Sequence, residues 1–384
     1  NNHWITYSTG GGEGDIAIVS LAFNTTVKNC NILDGNWTNI TGLYREGIEI
    51  DGSNSTLLNN FVNTSNGPAI TISGNYTTLT NNTCMSNSSD GIDLGSSSNY
   101  LLNNTGVSNS SKGISVNGNN NYLLNNTGKS TSGSAIELYF SYNNTLINNT
   151  GNCTGGYIWG IAGIQLYISD YNNLTNNLVV SANNRALYVY SSNHNILANN
   201  TVIGGTNVGI YTLGSDSNTL INNTATSDSA YAIIIAEHSD NNTLINNTGE
   251  CKGSGGECFG MWINLLSNNN ILINNTAKSN TNIALRIAES SNNSIINQIA
   301  TGDTGIQIAG ANNTIFRDCV NISGTDDYDV FYDPDAGSIN NTFINCSYST
   351  NKELIQGTAN ELIRKWYYQA YTNYSNSTIV SDAN

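Results

Sequence analysis

The chain has 384 residues, with 12 Lys and Arg against 27 Asp and Glu, giving a formal net charge of −15. Only 10% of its residues are charged, while Asn numbers 71, Gly 37 and Pro 2. So few, scattered cations exclude a nucleic-acid footprint. No apolar run is long enough to span a bilayer, and few Ala, Glu and Lys exclude helical bundles, yet 38% apolar residues suffice for a core.

The chain opens on Asn1-Asn2-His3-Trp4 without an initiator Met, which reads as a processed or excerpted piece. Trp4-Ile5-Thr6-Tyr7 reads as a capping strand. One string then recurs: Leu57-Leu58-Asn59-Asn60, Leu79-Thr80-Asn81-Asn82, Leu101-Leu102-Asn103-Asn104, Leu123-Leu124-Asn125-Asn126. With the first Asn as anchor, it continues through Asn148, Asn176, Asn199, Asn222, Asn246, Asn274 and Asn297, then degenerates at Asp318 and Asn345. Asn29 is an earlier anchor, and the units average about 24 residues. A second string, small–Ile–x–Ile/Leu, precedes each anchor, as in Gly91-Ile92-Asp93-Leu94 and Ala135-Ile136-Glu137-Leu138. Its period of two marks half-buried strands separated by Asn, Ser and Gly turns.

Units this short, with no 3.6-residue period, exclude propellers and helical solenoids. They predict an all-β, right-handed parallel β-helix of about 13 coils over residues 1–350, with an N-terminal cap. A short C-terminal β segment, residues 351–384, is expected to cap the rod, donate a strand or open a β-sandwich module. The anchor Asn is expected to face inward and stack as an amide ladder.

Read across coils, the x position gives Glu49, Thr71, Asp93, Ser115, Glu137, Gln165, Tyr188, Tyr211, Ile234 and Trp262. With Tyr139, Tyr167 and Tyr190 two residues further on, this makes an aromatic stripe of Tyr139, Tyr167, Tyr188, Tyr190, Tyr211 and Trp262. Such a stripe serves a subunit contact, a glycan or plain packing. Asp93 and Glu137, two coils apart, come near the spacing of an inverting glycosidase pair. No His or Arg joins them, and they read as solvated acids.

Turn and loop sequons offer Asn36, Asn39, Asn54, Asn63, Asn75, Asn87, Asn109, Asn143, Asn152, Asn241, Asn292, Asn312, Asn340, Asn373 and Asn376 as N-glycan acceptors. Seven Cys fit an oxidising compartment. Cys251 and Cys258 can close a loop as a disulfide. Cys319 and Cys346, stacked in neighbouring coils, form either a disulfide or two buried thiols, and Cys30, Cys84 and Cys153 have no evident mate. Asp326, Asp327, Asp329, Asp333 and Asp335 form one dense acidic segment that suits Ca²⁺ or a plain surface loop.

The small–Ile–x–Leu strand followed by Asn-x-Leu-x-Asn-Asn-Thr resembles the β-helix repeat of the NosD-like, carbohydrate-binding and sugar-hydrolase group over roughly residues 15–350. Archaeal surface-layer and cell-surface proteins of methanogens resemble it too. Leu362-Ile363-Arg364-Lys365-Trp366-Tyr367 is similar to the opening strand of the β-sandwich modules that follow such helices. The resemblance implies an extracellular, glycosylated structural subunit of an archaeal surface layer, sheath or filament, self-associating into a polymer or lattice. On this reading the chain is no enzyme and has no cofactor beyond a candidate Ca²⁺ ion and its N-linked glycans. The alternative is a secreted β-helix that binds, or less readily cleaves, carbohydrate. An acid–base set beside the aromatic stripe would separate the two.

Overall fold

The computed structural model describes residues 3–7, 15–35, 44–156, 160–254 and 257–367. It is an all-β solenoid with three long parallel sheets of 14, 15 and 15 strands. We call them sheets I, II and III in the order the chain first enters them, at His3–Tyr7, Ile16–Ser20 and Thr26–Lys28. A typical coil runs Ile92–Leu94 on sheet II, Tyr100–Leu102 on III and Thr105–Ser108 on I. Each strand pairs in parallel with its counterparts one coil away, as in Ile92↔Ile114 and Leu101↔Leu123.

The coil count slightly exceeds that expected, because coils without the anchor string also stack at both ends. His3–Tyr7 pairs with Cys30–Asp34, and Glu353–Ile355 and Leu362–Lys365 extend sheets II and III.

Inward positions form one continuous core. Sheet III contributes a column of Leu (Leu57, Leu79, Leu101, Leu123, Leu146), and sheet II contributes pairs such as Ile92 and Leu94. Sheet I is lined by small residues where it turns sharply into sheet II. In the strand before that turn, a Cβ on Gly128 would lie 2.2 Å from the Ala135 carbonyl oxygen, so this coil needs glycine where others hold Val62, Cys84 or Val179.

The ladder forms one residue later than the sequence suggested. The anchor Asn occupies the left-handed corner between sheets III and I, at φ 55 for Asn59, 54 for Asn81 and 56 for Asn103, and is exposed. Asn tolerates this conformation better than other non-glycine residues. The following Asn turns inward. Asn82 donates from its backbone N and its Nδ2 to Asn104 Oδ1, at 3.0 and 2.9 Å, and Nδ2 also reaches the Leu57 carbonyl at 3.0 Å. The pattern repeats to Asn275. A second buried ladder, not anticipated, runs through Asn99, Asn121, Asn144, Asn172 and Asn195 at the corner between sheets II and III. Both rows satisfy amides that a tight corner takes away from water.

Cys251 and Cys258 form the expected disulfide, with Cα atoms 5.4 Å apart. Cys319 and Cys346 stand in register one coil apart and remain thiols. Their mutual hydrogen bond, with burial added, drives the Cys319 pKa upward, and the same contact draws that of Cys346 down. Cys30, Cys84 and Cys153 are also free.

Candidate functional site

The outer face of sheet II carries three columns of side chains per coil, and the pockets gather there. Two residues before the first core residue of each strand lie Asp90, Lys112, Ser134, Ala162, Arg185, Val208 and Tyr231. The x column follows, then a third column containing Asn117, Tyr139, Tyr167 and Tyr190.

An open cleft of about 530 Å³ lies over the earlier coils, lined by Asp90, Asp93, Lys112, Glu137, Tyr139 and Tyr167 among others. Lys112 Nζ is 3.2 Å from Glu137 Oε2. Burial raises the Glu137 carboxyl above its ordinary range, and the Lys112 ammonium opposes that rise. Burial also works against the Lys112 charge, but Glu137 and Asp90 outweigh it and hold the ammonium above its usual pKa. Asp93 is pushed up to about 6, chiefly by burial and then by the negative charge of Asp90. Asp93 Oδ1 accepts a hydrogen bond from Asn117 Nδ2 at 3.1 Å. Asp90 is fixed by the Lys112 backbone N–H at 2.9 Å. The cleft thus holds one carboxyl whose proton is retained up to about pH 6 and a second carboxyl paired with a cation, two coils or about 10 Å apart along the rod.

The aromatic stripe divides into three groups. Tyr139, Tyr167 and Tyr190 stack in a row, with ring centroids 5.2 and 5.0 Å apart, at the edge of the cleft. Tyr188 is not part of an exposed face: it is 1% exposed, with the Arg185 guanidinium 4.6 Å from its ring centroid and 5.1 Å from that of Tyr211. Trp262 stands apart against Tyr231, Phe259 and the Arg286 guanidinium. Ile234 separates it from Tyr211 in the column.

Two smaller pockets continue along the same face. One of about 310 Å³ lies between Arg185, Tyr211, Tyr231 and Trp262, and another of about 230 Å³ between Thr304, Gln307, Tyr328 and Phe331. Trp262 Nε1, Arg286 Nε and Gln307 Oε1 on this stretch are buried without a hydrogen-bond partner.

The acidic segment does not assemble into a cation site. Among the described residues no three His, Cys, Asp or Glu are placed to hold a metal. Asp329 is instead a structural acceptor, taking backbone N–H groups of Gly324 at 2.9 Å and Ser349 at 2.6 Å. Asp333 accepts from the Asp335 backbone at 3.1 Å, and Asp326 and Asp327 point into solvent. Of the sequon residues, Asn54, Asn75, Asn109, Asn143, Asn241, Asn292 and Asn340 are exposed, and Asn63, Asn87, Asn152 and Asn312 are half-buried. Asn36, Asn39, Asn373 and Asn376 lie outside the described residues.

Two sequence families match parts of the chain: "Right handed beta helix region" over residues 16–161 and "Periplasmic copper-binding protein (NosD)" over residues 151–271. The chain therefore carries the right-handed parallel β-helix repeat. No curated protein matches it in sequence. Among solved structures it is similar to the periplasmic alginate epimerase AlgG (12% identity, 91% of this chain and 78% of that one, TM-score 0.40). It is also similar to the A-module of the Azotobacter vinelandii mannuronan C-5 epimerase AlgE4 (11%, 82% and 88%, 0.41). A third is a PL6 alginate lyase in complex with a trisaccharide (12%, 99% and 91%, 0.38).

The expectation of a chain without enzymatic activity is overturned. It rested on the absence of an acid–base set beside the aromatic residues, and Lys112 joins Asp93 and Glu137 there. Lys112 escaped the sequence reading because only the x column was aligned. Aligning the column three residues before it would have found both Lys112 and Arg185.

Proposed function

We propose that the outer face of sheet II binds a polysaccharide along the rod and cleaves it by acid–base chemistry at the Asp93–Lys112–Glu137 cleft. The observation that carries this reading is the placement of Asp93 and of Glu137, with its Lys112 partner, in one cleft beside three stacked tyrosines. Stacked rings supply the flat apolar platform that a pyranose face needs, and the polar cleft next to them supplies donors and acceptors. Asp93 gives its proton to the leaving glycosidic oxygen. Glu137, paired with Lys112, takes a proton from the attacking water, and its separation from Asp93 leaves room for that water. The row of pockets further along the same face favours a polymer over a single sugar. The Cys251–Cys258 disulfide and the periplasmic family match support a location outside the cytoplasm.

The test is incubation of the chain with a panel of neutral and acidic polysaccharides, followed by assay of new chain ends and of binding. Cleavage of at least one polymer is expected, abolished in Asp93→Asn and Glu137→Gln with binding retained. A chain that binds and cuts none of them would refute the reading.

A further inference from the structure

Sheet III is apolar on its inner face and uncharged on its outer one. Its inward column is Leu almost throughout. Its outward positions, over eleven strands from Thr56–Leu58 to Ser294–Ile296, hold only Leu, Ile, Tyr, Ala, Thr, Asn and Ser. None of the 39 charged residues (12 + 27) falls there. Sheet I, by contrast, turns Lys129, Glu250 and Lys278 outward. A sheet with one solvated face alternates apolar and polar residues, whereas a sheet covered on both sides reads as a run of apolar ones. Strands such as Thr219-Leu220-Ile221 and Ile271-Leu272-Ile273 follow the second rule, yet Ile196 and Ile271 are 45% and 41% exposed.

We infer that this face is where two copies of the chain associate, rod against rod. Three features select a second copy as the occupant. The first is area. Ten coil steps of about 4.8 Å, by a strand and one corner residue on each side (five residues at about 3.3 Å), give roughly 800 Å². That is the ~800 Å² each partner contributes to a standard specific interface. The second is charge: two chains of −15 repel over most of their surface, and this face is the long stretch on which they do not. The third is period. The outward rows repeat at the coil spacing, and a second copy brings the same spacing, so its rows seat between these without leaving voids. Such an isologous contact closes as a two-fold dimer. It leaves sheet II free, so it stands or falls separately from the polysaccharide reading.

Sedimentation velocity of the full chain, from low to high micromolar, decides the matter. The wild-type chain is expected to reach twice 41.0 kDa. Ile245→Glu, which puts a charge on the ninth of the face's eleven strands, is expected to stay at the monomer mass with an unchanged β-sheet circular dichroism spectrum. Thr226→Glu on the outer face of sheet I is the control and is expected to remain dimeric. Ile245 points outward and is only half-buried. If its variant nonetheless failed to fold, Thr219→Lys in the neighbouring outward column gives the same reading. A wild-type monomer at high micromolar concentration, or a dimer that survives both face variants, would overturn the inference. So would higher assemblies insensitive to Ile245→Glu, since these would place the contact at the rod ends.

Discussion

The outer faces of sheets II and III are built on the same coils and follow opposite rules. On sheet III one coil resembles the next, with Thr145-Leu146-Ile147, Thr219-Leu220-Ile221 and Thr243-Leu244-Ile245 almost interchangeable. On sheet II the x column passes through Asp93, Ser115, Glu137, Gln165, Tyr188 and Tyr211 without repeating a role. A solenoid presents every coil with nearly the same neighbours. Repetition therefore records what the backbone and the packing demand, and departure from repetition records what they leave open. The open positions are where the buried carboxyls, the stacked tyrosines and the guanidinium–ring contacts lie.

Four experiments press on this contrast. The largest effect belongs to Glu137→Gln, which should lower turnover of the cleaved polysaccharide about 100- to 10,000-fold. Thr145→Val, in the same coil but on sheet III, should leave turnover unaltered. Equal losses in both assays would erase the distinction between the faces. Next in size is Asn149→Ala in the buried ladder. It strands Asn126 N and the Leu123 carbonyl, and takes one of two partners from Asn126 Nδ2 and from Asn177 Oδ1. At about 1–3 kcal/mol for an unmet buried group, the expected loss in urea unfolding is about 3–6 kcal/mol. Asn148→Ala, one residue earlier at the exposed corner, should cost only about 1 kcal/mol, from its left-handed backbone.

Asp93→Asn tests burial on the polar face through pH. The folded pKa of about 6 lies above that of an unfolded Asp, about 3.9. The folded chain thus holds this proton more tightly, and the stability so gained is present below about pH 4 and lost as pH rises through about 6. The Asn variant should melt higher than the wild type at pH 8, by about 1–3 kcal/mol, and show no such gain at pH 4. A constant difference across that range would contradict the assignment. The smallest effect is that of Tyr167→Ala, expected to weaken polysaccharide binding about 3- to 10-fold in titration calorimetry. Tyr100→Ala, which breaks the Tyr100–Tyr122 stack on sheet III, should not weaken it.

The repeat made the architecture legible. Period-two strands with turn residues every 22 to 28 positions leave one class of fold. The 28-residue coil with paired Cys also announced its disulfide. What escaped depended on which way a side chain turns within a corner. In Asn81-Asn82, sequence does not say which amide is held in the left-handed corner and which is buried, and the inward one is the second. Asn144 and Asn172, scattered among turn residues, gave no sign of forming a second row. Lys112 and Arg185 sit off the aligned column, so neither the ion pair in the cleft nor the capping of Tyr188 could be read from it.

The amide ladder also has a direction. Every rung donates towards the C-terminus: Asn60 to Asn82, Asn82 to Asn104, and so on to Asn247 and Asn275. A partly wound rod therefore ends in unmet donors on its C-terminal side and unmet acceptors on its N-terminal side, so its two raw tips differ in character. The ladder position is closed by smaller demands at each end. Cys30 occupies it at the start, its backbone N–H bonding to Asn60 Oδ1. Gln298 bends its amide to the neighbouring Ile299 carbonyl, and Cys319 and Cys346 follow. Cys30, Cys319 and Cys346 are, in this light, the stops of a one-way hydrogen-bond track.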